Sequence, residues 1–335
     1  MTPVDARRGN ASEGTDWLHC TRTQALLGRL DAEIDRAVTA QDAQLRVMAL
    51  HVVRRGGKRL RPALLMLCGS LGPCPDGPLL KAAAALELIH VASLYHDDIM
   101  DRAPVRRGGP STQARWGDGP ATFAGAYLFA RACTLWADLG GLTNRLASEA
   151  SVDLCRGQLG ELEHAFDLDT PEQRHLEILT LKTGSLFSLP CRIGAALAGL
   201  DAEAASSLQI YGDELGRAFQ LADDLLDLTG EVETIGKLAS KDLREGIYSL
   251  PVLRALRNGG ADSARLRDLL TLETLEDNEV GEAVAIVRAS GAVESVRDQA
   301  RRGAQAAGAA IAQLPDGPAK DSLRALAALA VERTH

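Results

Sequence analysis

Apolar residues recur along this chain at the three-and-four spacing of an amphipathic helix almost from end to end. Leu26, Leu27, Leu30, Ile34 and Val38 form one stripe, and Leu45, Met48, Ala49, Val52 and Val53 form the next. The second stops at Gly56-Gly57, a helix-ending signal, and Arg61-Pro62 opens a further segment, Ala63–Leu71. The Pro- and Gly-rich run Gly72–Pro78 predicts a connection. A long helix is predicted from Leu79 to Asp101, ending before Ala103-Pro104 because the residue ahead of a proline avoids helical geometry. Arg106–Pro110 predicts a loop. Further helices are expected at about 120–138, 143–165, 172–183, 184–199 and 202–229. A loop marked by Gly230, Gly236 and Gly246 then precedes weaker helices. No alternating strand pattern stands out. The expected fold is all-α, a single-domain bundle of ten or more helices.

Composition agrees with that reading. Of 335 residues, 46% are hydrophobic and only 4% aromatic; Ala and Leu dominate, which favours helix over strand. No linker or repeat divides the chain, so residues 16–335 are expected to form one domain behind a disordered polar tail, 1–15. That tail lacks the apolar core of a signal peptide. No stretch reaches the roughly 18 uninterrupted apolar residues of a membrane span. The six cysteines (Cys20, Cys68, Cys74, Cys133, Cys155 and Cys191) show no paired spacing and read as small hydrophobes of a reduced, cytoplasmic protein. A net charge of −8 argues against a nucleic-acid partner.

The chemistry concentrates in two acidic triplets, Asp97-Asp98-Ile99-Met100-Asp101 and Asp223-Asp224-Leu225-Leu226-Asp227. On a helix, positions i, i+1 and i+4 fall within one ~100° arc, so three carboxylates share a face. A lone triplet of this kind is usually just a solvated charged face. Two copies set in apolar runs, Leu86–Leu94 before the first and Phe219–Leu221 before the second, weaken that reading. Crowded carboxylates in apolar surroundings are costly unless a cation meets them. Mg²⁺ suits such oxygens and commonly completes its shell with substrate phosphates. Cationic candidates are Lys58 and Arg61 in Gly56-Gly57-Lys58-Arg59-Leu60-Arg61-Pro62, then Arg106-Arg107-Gly108-Gly109, Lys182-Thr183-Gly184 and Lys237. Each alone is a weak motif. Together with two metal-type clusters they suggest two diphosphates, one bridged through metal and one gripped directly.

GGKRLRP, ELIHVASLYHDDIMD, RRGGP, LKTGSLF, FQLADDLLDLTG and the GK…DLREG…LP segment occur in one order along residues 20–330. By these motifs the chain resembles the trans-type isoprenyl diphosphate synthases, or polyprenyl synthetases. The resemblance implies long helices around a deep central apolar pocket, a homodimer, and Mg²⁺, about three ions per active site once substrate is bound. It implies a prenyltransferase that condenses isopentenyl diphosphate head-to-tail with an allylic diphosphate to a trans product of C20 or longer. Asp97, Asp101 and Asp223 match the principal metal ligands, with Asp98, Asp224 and Asp227 supporting them directly or through water. Arg106, Lys182 and Lys237 match the allylic diphosphate site. Gly57, Lys58, Arg61, His90 and Arg107 match the isopentenyl diphosphate site. Thr183 and Gln220 match polar groups near the reacting carbons. A histidine on an apolar helix is more often a core residue. His90, two turns before Asp97 and at a matching position, is read as functional, and His96 as structural.

Some positions depart from the family pattern. Ile247 stands where a second lysine is usual, and losing a charge-assisted contact costs on the order of 1.5–3 kcal/mol. Lys241, in the same loop, is a candidate substitute. Ala126 replaces a frequent Asp. These departures keep open a weakly catalytic subunit serving a partner synthase, although intact triplets argue against it. A class I terpene cyclase is a third reading, disfavoured by the second triplet and by GGKRLRP. Product length is expected to follow the pocket floor one turn before Asp97, where a helix descends about 5.4 Å per turn. Ala92 and Ser93 are small there and predict products beyond C15. Tyr95 is the complication, and Phe166, Leu159 and Leu162 are candidates for a deeper stop.

Overall fold

Capping side chains start several of the helices the periodicity predicts. In the computed structural model, which describes residues 16–39, 42–229, 241–272 and 274–332, Asp42 accepts from the Gln44 and Leu45 amides, and Asp201 accepts from that of Ala204. Each contact satisfies an amide that has no partner within its helix. The tail 1–15, Gly230, Gly236 and Lys237 lie outside the described residues.

The element order is α1 (Thr21–Ala37), α2 (Ala43–Val53), α3 (Leu60–Gly69), α4 (Asp76–Met100), β1 (Val105–Arg106), β2 (Gly109–Pro110), α5 (Thr112–Trp116), α6 (Asp118–Asp138) and α7 (Gly141–Glu163). Then come α8 (Glu172–Leu179), a π-helical turn (Thr180–Gly184), α9 (Ser185–Leu197), α10 (Ala202–Thr229), α11 (Lys241–Arg244), α12 (Leu250–Arg257), α13 (Gly260–Leu270), α14 (Asp277–Ala289), α15 (Ala292–Ala310) and α16 (Pro318–Glu332). The all-α expectation holds, with two corrections. The long helix starts at Asp76 rather than Leu79, with Pro78 in its first turn, where a missing amide hydrogen is harmless. The expected loop at Arg106–Pro110 is part of a hairpin pairing Val105 with Pro110 and Arg106 with Gly109. Strands of two residues are too short to show alternation.

Three apolar clusters make the core. One gathers α1, α2, α4 and α6. The second unites α3, α9, α16 and the first half of α10, and the third joins the second half of α10 to α12–α15. α4 and α10 are therefore anchored on several sides, which suits helices that must carry charge at one end. α4 is, among the described residues, the helix long and apolar enough to cross a membrane, yet 67% of its apolar window is buried inside the protein. It is a core helix.

Candidate active site

α4 and α10 bring their C-terminal turns to one cleft of ≈ 410 Å³, lined by Asp97 and Asp101 from α4 and by Asp223, Asp224 and Asp227 from α10. Carboxylates at this end of a helix oppose its dipole, at about 0.3–1 kcal/mol each. Burial worsens the crowding. It pushes Asp97 up to about 6, with Lys182 opposing and Asp101 and Glu161 adding to the shift. Asp224 rises well above the usual carboxylate range, through burial and then Asp242 and Asp223, against a hydrogen bond from Gln220. α11 adds Asp242, raised to about 7 by burial and then by Asp227. The cleft holds more negative charge than its own cations neutralise.

That donor set fits a hard divalent cation. Among the described residues, no three His, Cys, Asp or Glu side chains form a ready-made metal cage. Magnesium sites with phosphate substrates need only one or two carboxylates each, the substrate supplying further oxygens. Asp98 is the exception within the first triplet. It is fully buried beneath the cleft and accepts from Arg106 Nε at 2.7 Å, so it holds an arginine rather than facing the opening.

Lys182 and Thr183 sit on the π-helical turn. Such a turn inserts an extra residue and re-aims side chains, often at functional sites. Gly157 of α7 lets the turn approach, since a Cβ there would lie 2.4 Å from the Lys182 amide nitrogen. The Lys182 ammonium is ion-paired with Glu161. Burial opposes its charge, but Glu161, Asp97 and Asp101 outweigh that and raise its pKa. Thr183 donates to Gln220 Oε1 at 2.8 Å, and Gln220 donates to Asp224 at 2.8 Å. This relay ties the turn to the second triplet.

The second group of cations packs beside the cleft. Arg107 and Gly108 form the hairpin turn at φ 49 and φ 71, the positive values a two-residue type I′ turn requires. The Arg107 guanidinium rests on Gly57, where a Cβ would come within 3.1 Å of it. Arg107 Nη2 donates to Glu87 at 3.0 Å. Arg61 lies 4.9 Å from the Phe187 ring centroid. Burial lowers its pKa to about 10, against Glu87 and, more weakly, Asp223. His90 is pushed well below its ordinary value by burial and then by Arg61, Arg107, Arg59 and Arg106, so it is neutral. Lys58 is exposed in the turn leading to α3. From the end of α2, Arg55 donates to the carbonyls of Arg106, at 3.1 Å, and Pro110, at 2.7 Å, bracing the hairpin.

The expected product-length residues fare differently. Tyr95 is turned away from the cleft: its hydroxyl donates to the Met48 or Ala49 carbonyl and accepts from the Val52 amide at 3.2 Å. Ala92 lies in the core, and the Ser93 hydroxyl donates to its own helix at the His90 carbonyl. Leu159, Leu162 and Phe166 are exposed at the surface rather than set beneath the cleft. Phe166 sits in a loop at φ 62 and donates its amide to the Gly246 carbonyl at 2.8 Å. Lys241 does reach the cleft, 2.9 Å from Glu245 and 3.8 Å from Asp101, and Ile247 lines it too.

Sequence reasoning assigned no role to Glu161, Asp242, Glu87, Arg55 or Arg59. Asp242 lies within the DLREG motif and Glu87 interrupts an apolar helix, both legible signals. Arg59 lies inside GGKRLRP; Glu161 and Arg55 carry no such signal, because the groups they meet in the site are distant in sequence.

The polyprenyl synthetase family model matches residues 42–287. A nonaprenyl diphosphate synthase from Mycobacterium tuberculosis is 38% identical over 319 residues, covering 95% of each chain. A polyprenyl synthase from Caulobacter crescentus, solved with calcium and isoprenyl diphosphate, superposes with a TM-score of 0.88 at 33% identity, over 94% of this chain and 98% of its own. A decaprenyl diphosphate synthase from Rhodobacter capsulatus gives 0.86 at 32% identity, over 95% and 99%. With an acidic cleft at the ends of two core helices and cations gathered beside it, the chain belongs to the polyprenyl synthetase family.

Proposed function

We propose that the acidic cleft binds Mg²⁺ together with an allylic diphosphate, and that the adjoining arginines bind isopentenyl diphosphate. As a family member the chain is a trans-prenyltransferase, condensing the two head-to-tail to a product of C20 or longer. The observation that carries the residue assignment is the shared cleft: Asp97 and Asp101 line it with Asp223, Asp224 and Asp227, and Lys182 and Arg106 line it too.

Bound Mg²⁺ would be held by Asp97, Asp101, Asp223, Asp224 and Asp227, about three ions with substrate present, and would stabilise the departing diphosphate as a Lewis acid. Lys182 and Arg106 hold that diphosphate while the allylic C–O bond ionises. Arg61, Arg107, Lys58 and His90 keep the isopentenyl double bond alongside, replacing a chance encounter with a fixed one. His90, being neutral, donates a hydrogen bond without adding charge. Thr183 and Gln220 stand beside the reacting carbons. Loss of a proton from the joined product, to the released diphosphate, completes the turn. Lys241 takes the place of the cation that Ile247 does not supply, and Lys237 serves the same diphosphate.

We also propose residues 16–335 as one catalytic domain, acting as a homodimer in a reducing cytoplasm. All six cysteines are free thiols. Phe123 on α6 and Val152 on α7 are 73% and 59% exposed, with Phe129, Leu142 and Leu159 also uncovered. These side chains lie on the adjoining helices α6 and α7, the candidate association surface. The deciding experiment incubates purified protein and Mg²⁺ with isopentenyl diphosphate and each of three allylic starters. Longer diphosphates on chromatography are expected. A hydrocarbon product, or no turnover without a second subunit, would overturn the reading.

A further inference from the structure

Glu87 is a carboxylate only 2% exposed in the middle of α4, and it does not line the acidic cleft. Its neighbours in sequence, Ala82–Leu86 and Leu88–Val91, are apolar save for His90. One oxygen, Oε1, accepts from two arginines: Arg107 Nη2 at 3.0 Å and Arg59 Nη1. A charge so deeply buried persists only when paired. The pairing also serves the arginines.

Both arginines hold left-handed backbone, Arg59 at φ 48 and Arg107 at φ 49. Non-glycine residues stay in that region only where their surroundings over-determine them. Glu87 is the contact they share. Arg59 is otherwise occupied by Asp31 at 2.9 Å and the Val53 carbonyl at 3.0 Å, so its guanidinium is committed to structure. Arg107 is not. Its Nη1 is buried without a hydrogen-bond partner, as is Arg61 Nε. Buried donors in that condition call for an acceptor. His90, three residues after Glu87 and thus on the same helix face, feels the charges of Arg61, Arg107 and Arg59.

We propose that Glu87 is a positioning residue for the second diphosphate: it presets Arg107, with Arg59 as a brace, to grip isopentenyl diphosphate. This rests on the assignment of that substrate to the arginine side. Without Glu87, Arg107 would lose its carboxylate partner and Arg59 would keep the exposed Asp31, so the incoming diphosphate would have to order Arg107 itself. The energy of ordering then comes out of binding, and the loss falls on one substrate alone.

The test uses the full-length enzyme with Mg²⁺, varying isopentenyl diphosphate and the allylic diphosphate separately, plus calorimetric titration of isopentenyl diphosphate. Glu87→Gln keeps the shape and removes the charge. It should raise KM and Kd for isopentenyl diphosphate about tenfold or more, with the allylic KM within about twofold. Glu87→Asp, whose carboxylate is set back by one carbon, should recover part of the loss. Arg59→Gln should give a smaller rise of about threefold, and it decides the matter if Glu87→Gln does not fold. Unchanged isopentenyl constants in the folded variants, or equal rises for both substrates, overturn the proposal. Wild-type protein that binds no isopentenyl diphosphate overturns the functional reading beneath it and this proposal with it.

Discussion

At the aspartate end of the site, α4 and α10 crowd carboxylates against unfavourable helix dipoles, and Asp97 and Asp242 rise to about 6 and about 7. At the arginine end, Arg59, Arg61 and Arg107 surround one buried carboxylate, Glu87, which two of them share. The first region leaves its charge for an outside cation to meet. The second carries its own counter-ion and keeps only a few donors to spare. On the proposed reading one half depends on a cofactor and the other is prebuilt, so the two should answer differently to the same kind of substitution.

The largest difference should come from the triplets themselves. Asp97→Asn or Asp223→Asn should lower kcat about a thousandfold or more, because stabilisation of the leaving group is lost in the transition state. Steady-state kinetics would check it, and a fall of only a few-fold would remove that residue from the metal-binding set. Next, Arg107→Gln should raise KM for isopentenyl diphosphate about ten- to a hundredfold while sparing the allylic KM. If the allylic constant moved instead, the division of the site would be reversed.

The titrations sharpen the contrast. Asp97 has a folded pKa raised from 3.8 to about 6, so it binds more protons folded than unfolded across that interval. Its charge is a stability penalty that is present above about pH 6 and relieved as pH falls. In metal-free buffer at pH 7.5, Asp97→Asn should therefore melt higher than wild type, and the gap should narrow to about half by pH 5 and close near pH 4. Histidines affect both proteins alike and cancel in the difference. A gap independent of pH would show that Asp97 carries no such penalty. The smallest effect is expected at Lys241, which is half-exposed and already paired with Glu245. Lys241→Ala should raise the allylic KM about threefold to tenfold; an unchanged value would leave the position of Ile247 uncompensated.

Much of this was legible from the sequence. Leu26 to Val53 showed two helices by periodicity, and DDIMD and DDLLD showed the metal-type faces. The tight hairpin was hidden because a two-residue strand has no period and because its turn uses Arg107 where Asn or Gly is usual. Tyr95 was ambiguous because its direction is set by carbonyls of α2, more than forty residues earlier. Leu159 and Leu162 lie on one face of α7, but periodicity identifies a face without saying whether solvent or protein covers it. Glu161 and Lys182 meet across α7 and the π-helical turn, and no local pattern announces such a pair.

The most direct test of the shared cleft is calorimetric titration of Mg²⁺ with inorganic diphosphate into wild type, Asp97→Asn, Asp223→Asn and the double variant. If both aspartates hold one metal–diphosphate cluster, each single change should abolish most of the binding and the double change should add little. Independent, additive losses, or full binding by either single variant, would contradict it.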